Sequence, residues 1–178
     1  MRILLILGLV SSFYSYGQND SCILIRYPNY KVVLYESNYN FLGADDKDVH
    51  YAYQVPLGKI GNCKPWTPSI GLVKQLEAKM KPIIENYALK GDLDSERAKD
   101  LRYIIQNINN YNRRYFSCLD KNGVKIIFID FSIRREEDNL DYAEKELFMT
   151  VGGGENYFSI TYNYDLNEVL SLDINAQW

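Results

Sequence analysis

Hydrophobic and polar positions alternate with period two through residues 111–178, which is the pattern of half-buried strands. The first strand spans 111–119 and leads into Asp120-Lys121-Asn122-Gly123, where Asn-Gly signals a hairpin because both residues tolerate positive φ. In 124–133, Ile127, Ile129, Phe131 and Ile133 make one apolar face. Val124, Ile126 and Phe128 make the opposite face apolar for its first half, so this strand is expected to be central. A charged loop, 134–144, precedes a third strand through Leu147, Met149 and Val151. The fourth sets Phe158, Ile160, Tyr162 and Tyr164 against Ser159, Thr161 and Asn163. The last sets Leu170, Leu172, Ile174 and Ala176 against Ser171, Asp173 and Asn175. Connections this short leave no room for crossovers, so the five strands form an antiparallel meander.

Ahead of the meander the period changes to that of a helix. Thr67 can cap a first helix with Pro68 at its first position, and Ile70, Val73, Leu76, Met80, Ile83, Ile84 and Tyr87 form its stripe up to a stop at Gly91. Pro82 predicts a kink or break near 79–81. A second helix starts at Asp94 or Ser95, with Asp92 and Asp94 as caps and Leu101, Ile104, Ile105 and Ile108 as its apolar face. Asn109, Asn110 and Asn112 end it. Two one-sided helices followed by strands give the α+β class, an antiparallel meander with two helices packed on one sheet face and the other face largely wet.

Residues 22–55 read as broken strands: Ile23 and Ile25 alternate, 31–35 is β-branched and aromatic, and Val49, Tyr51, Tyr53 and Val55 share a face. These strands extend the main sheet or form a hairpin beside it. The chain opens with Met1-Arg2, an apolar run over 3–10, and small residues Ser15 and Gly17, which is the pattern of a secretory signal peptide cut after Gly17. The expected organisation is therefore a signal peptide, 1–17, and a single domain, 18–178, made of a strand and loop segment (18–66), two helices (67–110) and the meander (111–178). Asn19-Asp20-Ser21 is too polar for a lipidation signal before Cys22. The expected address is the periplasm or the extracellular space, with no transmembrane span.

The formal net charge is −3 and the pI about 5.2, which argues against nucleic acid as a partner. The basic pairs Arg113-Arg114 and Arg134-Arg135 read as solvated strand ends. An oxidising compartment allows one disulfide among Cys22, Cys63 and Cys118. Spacing leaves all three pairings open; Cys22 with Cys63, which brackets the N-terminal segment, is the pairing expected. Cys118, in phase with Phe116, reads as a buried thiol.

Candidate chemistry is sparse. His50 is the single histidine, so a histidine-built metal site is excluded, and a Ser-His-Asp or Cys-His mechanism must pass through it. Its position beside an acidic loop reads as surface. Asp45, Asp46 and Asp48 lack the ligand spacing of a calcium loop. Gly152-Gly153-Gly154 joins two strands rather than opening a helix, so it reads as a turn and not a phosphate cradle. No catalytic residue, metal or cofactor is assigned.

The sixteen tyrosines stand out, with Tyr27, Tyr30, Tyr35, Tyr39, Tyr51 and Tyr53 in the N-terminal segment. Tyrosine suits both strands and recognition surfaces. Helices followed by a curved meander resemble cystatin-like folds in outline, with no motif matched residue by residue. The expected function is a non-catalytic exported binding module of the bacterial envelope with a protein or glycan as ligand. Its candidate contacts are Tyr51, Tyr53, Ser159, Thr161, Asn163, Ser171 and Asp173. A carboxylate-based hydrolase acting on glycans and a structural envelope component are the alternatives.

Overall fold

The structure, a computed structural model, describes residues 22–35, 64–90, 95–133 and 154–174. The elements are β1 (Cys22–Arg26), β2 (Lys31–Tyr35), β3 (Lys64–Pro65), α1 (Ile70–Lys90), α2 (Ser95–Asn107), β4 (Tyr111–Leu119), β5 (Lys125–Ile133), β6 (Tyr157–Asn163) and β7 (Glu168–Ile174). Short 3-10 turns, Ile108–Asn110 and Gly154–Asn156, precede β4 and β6.

The sheet order is β1-β2-β4-β5-β6-β7, with the two-residue β3 also paired to β4. The N-terminal strands thus extend the main sheet. β2 runs parallel to β4, in register Val32 to Arg113 through Leu34 to Tyr115, and the helices between them supply the long connection a parallel pair requires. The other described pairings are antiparallel. β5 lies between β4 and β6 and is buried on both faces in its first half, through Ile126, Ile127, Phe128 and Ile129, as its two apolar faces predict. The expected strand through Leu147, Met149 and Val151 lies outside the described residues.

Helix α1 begins two residues later than its expected first position at Pro68. Its cap is Ser69, whose Oγ accepts the Leu72 N–H at 3.3 Å, not Thr67. α1 runs through Pro82 as one helix. Proline removes one N–H from the ladder, but the neighbouring Met80, Ile83 and Ile84 are buried, and that packing holds the turn together. Leu101, Ile104 and Ile108 are buried as the α2 stripe predicts.

The β4–β5 hairpin uses its glycine as expected, at φ +81, while Asn122 keeps negative φ. The Gly123 N–H donates to the Asp120 carbonyl at 3.0 Å, and the Asp120 carboxylate accepts the N–H groups of Asn122 and Val124, both at 2.8 Å. The β6–β7 pair departs from simple alternation. Thr161 faces Ser171, but the next residue, Tyr162, faces Val169, so Leu170 is an extra residue in a bulge. Leu170 is therefore 50% exposed rather than buried, and Val169, Leu172 and Ile174 supply the β7 core contacts.

The main core lies between the helices and one sheet face, joining Val73, Met80, Ile84, Leu101 and Ile104 to Leu34, Tyr115, Ile129, Phe131 and Phe158. The opposite face differs from the expected wet surface. Val33, Tyr35, Phe116, Cys118, Ile126 and Phe128 form a second buried cluster there, with Cys22, Leu24 and Val124 packed against it. On β6, Ser159, Thr161 and Asn163 are 6%, 8% and 7% exposed. Two of them stand beside apolar β5 neighbours in register, Phe128 beside Thr161 and Ile126 beside Asn163, which shield them.

Candidate functional site

Consecutive strand residues point to opposite faces, so Arg113 and Arg114 serve different clusters. Neither is a solvated strand end. Arg113 is 1% exposed in the main core, and Arg114 is largely buried on the other face.

Arg113 is enclosed by acceptors. Its Nη1 donates to the Tyr111 carbonyl and its Nη2 to the Ile108 carbonyl, each at 2.7 Å. Its Nε lies 3.2 Å from Glu77 Oε2, on the buried side of α1. Glu77 accepts further hydrogen bonds from the hydroxyls of Tyr30, at 3.0 Å, and Tyr115. The guanidinium also stacks over the Tyr30 ring, 3.7 Å from its centroid, and Tyr30 stacks on Tyr27 at 4.5 Å. The network thus joins the β1–β2 turn, α1 and β4, segments far apart in the chain.

Burial pushes the Glu77 carboxyl up from its ordinary value, against the opposing pull of Arg113 and the two tyrosine hydroxyls. Burial likewise raises the Tyr30 and Tyr115 hydroxyls, and the Glu77 charge adds to this. Perturbed groups often mark active sites. Here they are sealed under a helix and hydrogen-bonded to one another, so the arrangement positions elements and offers no surface to a ligand.

The other face carries a polar band. Strand pairing sets Arg114, Asp130, Ser159 and Asp173 side by side across β4, β5, β6 and β7. The Arg114 guanidinium bonds the Asp130 carboxylate. A neighbouring row sets Thr161 beside Ser171, and another sets Ser132 beside Tyr157. Asp130, Ser132, Tyr157, Ser171 and Asp173 are half-buried, so the band reaches solvent around its buried centre at Ser159 and Thr161.

The structure therefore brings Ser159, Thr161, Ser171 and Asp173 together. Asn163 shares their face but has a structural duty, because its Oδ1 accepts the Leu166 N–H at 3.0 Å and fixes the β6–β7 turn. Tyr51, Tyr53, Cys63, His50 and the acidic loop at 45–48 lie outside the described residues. Gly154 takes φ +57 where the chain enters β6, consistent with a turn glycine.

Arg113, Glu77, Arg114 and Asp130 did not emerge from the sequence as candidates. A signal existed for the first pair. Arg113 is in phase with Tyr111 and Tyr115, and Glu77 lies within the helical stripe between Val73 and Met80, so alternation alone places both in the core. Among the described residues, no group of three His, Cys, Asp or Glu side chains is placed to hold a metal ion, and no helix is long and apolar enough to cross a membrane. No protein family, curated protein or solved structure compared with this chain matches it.

Proposed function

We propose that the chain is an exported, non-catalytic binding module of the bacterial envelope that holds a glycan on the polar band of β5–β7. The observation that carries this reading is the cross-strand alignment of Ser159 with Asp173 and of Thr161 with Ser171, next to the Arg114–Asp130 pair. Hydroxyl and carboxylate groups in adjacent rows offer several hydrogen bonds to a polyhydroxylated ligand. Tyr157, two residues from Ser159 on the same strand, adds a ring to that face. Export is supported by the charged, apolar and small-residue succession of residues 1–17.

The test is binding of the chain from Gln18 onward to a printed glycan array, with turnover of each bound glycan followed by mass spectrometry. Retention without turnover, weakened roughly tenfold or more by Ser171→Ala with Asp173→Ala, is expected from the loss of a hydrogen bond to a charged group. Absence of glycan binding contradicts the reading.

One observation favours the hydrolase reading. Asp130 and Asp173 flank Ser159 on alternate strands, which puts two carboxylates on one sheet face with their Cα atoms about 9.6 Å apart. Glycosidases work through a pair of carboxyl groups flanking the scissile bond. The engagement of Asp130 by Arg114 weighs toward binding. Hydrolysis abolished by Asp130→Asn or Asp173→Asn would decide for the enzyme.

A further inference from the structure

We propose that the glycan held on the polar band carries a free amino group, and that Asp173 receives it, with the hydroxyls of Ser159, Thr161 and Ser171 around it. The inference rests on the binding reading above and names the class of sugar that this face selects.

Strand register builds the subsite. Ser159 stands opposite Asp173, and Thr161 opposite Ser171. Facing strands lie about 4.8 Å apart, and residues two apart on one strand about 6.8 Å apart. The four side chains therefore mark the corners of a small rectangle on one sheet face, three hydroxyls and one carboxylate. Among the described residues, no side-chain hydrogen bond or ion pair engages any of the four. An ammonium has three N–H donors and no acceptor, so a carboxylate with hydroxyl oxygens beside it can accept all three.

Charge balance selects an ammonium over an acidic or neutral group. The row across β4, β5, β6 and β7 holds Arg114, Asp130, Ser159 and Asp173. Arg114 bonds the Asp130 carboxylate, which leaves Asp173, half-buried, as the unmatched charge of the row. A carboxylate or phosphate on the ligand would meet it with like charge.

The nearby cations are directed elsewhere or too distant to match Asp173. Arg97 reaches β7 from α2, which packs on the other sheet face, and its Nη2 donates to the Leu172 carbonyl at 3.4 Å. Arg26 and Lys31 share the face of the band but stand on β1 and β2, five and four strand spacings from β7, roughly 24 and 19 Å. Exposed charges beyond a Debye length of about 8 Å are largely screened at physiological salt.

The test is calorimetric titration of the chain from Gln18 onward with the tetramer of β-1,4-linked glucosamine and with its N-acetylated counterpart. A pH of about 6 keeps the amines protonated. The amino tetramer should bind roughly tenfold or more tightly, as expected for hydrogen bonds to a charged group. Asp173→Asn should abolish the preference. Glu168→Gln removes the same charge from β7 at a residue that pairs with Lys90 at 3.7 Å, and it should keep the preference. Equal affinities in the wild type, tighter binding of the acetylated tetramer, or a preference lost equally in both variants overturns the inference and leaves the glycan reading standing. Binding of neither tetramer also overturns the inference, and the glycan array then decides the broader reading separately.

Discussion

Glu77 and Arg113 meet 3.2 Å apart in the main core, both side chains almost wholly removed from solvent. Desolvating two charges offsets much of their attraction, so the pair adds little net stability over an apolar pair, whereas breaking it strands a buried charge. Glu77→Leu and Arg113→Met should each lower the unfolding free energy by about 3–5 kcal/mol. The double variant should recover most of that loss. Urea denaturation of the four proteins checks it, and additive losses would show that the charges do not act as a pair.

The raised Glu77 carboxyl gives a pH dependence of definite sign. The folded chain holds this proton more tightly than the unfolded chain does, so the contribution is complete below the ordinary value of 4.5 and is lost as pH rises through the folded value. The stability difference between wild type and Glu77→Gln should therefore move against wild type from pH 4 upward. Movement in its favour over that range would mean that Arg113 and the tyrosines outweigh burial.

The β7 bulge separates two leucines that simple alternation treats alike. Leu172 is 2% exposed, and Leu172→Ala should cost about 2–5 kcal/mol. Leu170→Ser should change stability by less than about 0.5 kcal/mol. Thermal melts distinguish them, and equal losses would remove the bulge from the account.

At the β4–β5 turn, a Cβ on Gly123 meets nothing within 4 Å, so Gly123→Ala tests backbone conformation free of steric conflict. A loss of about 1–2 kcal/mol, measured by chemical denaturation, is expected for an alanine at φ +81.

Much of the fold was legible because period is a strong signal where one face is buried. β4 matches its expected bounds, and the two helices carry their expected stripes. The bulge at Leu170 was hidden because nothing in 168–174 distinguishes an extra residue from a regular one. The parallel β2–β4 pairing was hidden because partner choice between distant strands is set by tertiary packing. Reading Arg113 by its charge rather than its phase concealed the buried network. At the candidate site, polar alternation correctly grouped the β6 and β7 residues on one face. It could not show that Phe128 and Ile126 would shield the β6 members.

The central functional claim is that a glycan binds along β5–β7. Its most direct test is a titration of the isotopically labelled chain, from Gln18 onward, with disaccharide-peptide fragments of peptidoglycan, followed by amide chemical shifts. The account predicts shifts concentrated at Asp130, Tyr157, Ser171 and Asp173, with α1 unmoved and no product formed. Shifts confined to the helices, or no shift at any concentration, would contradict it.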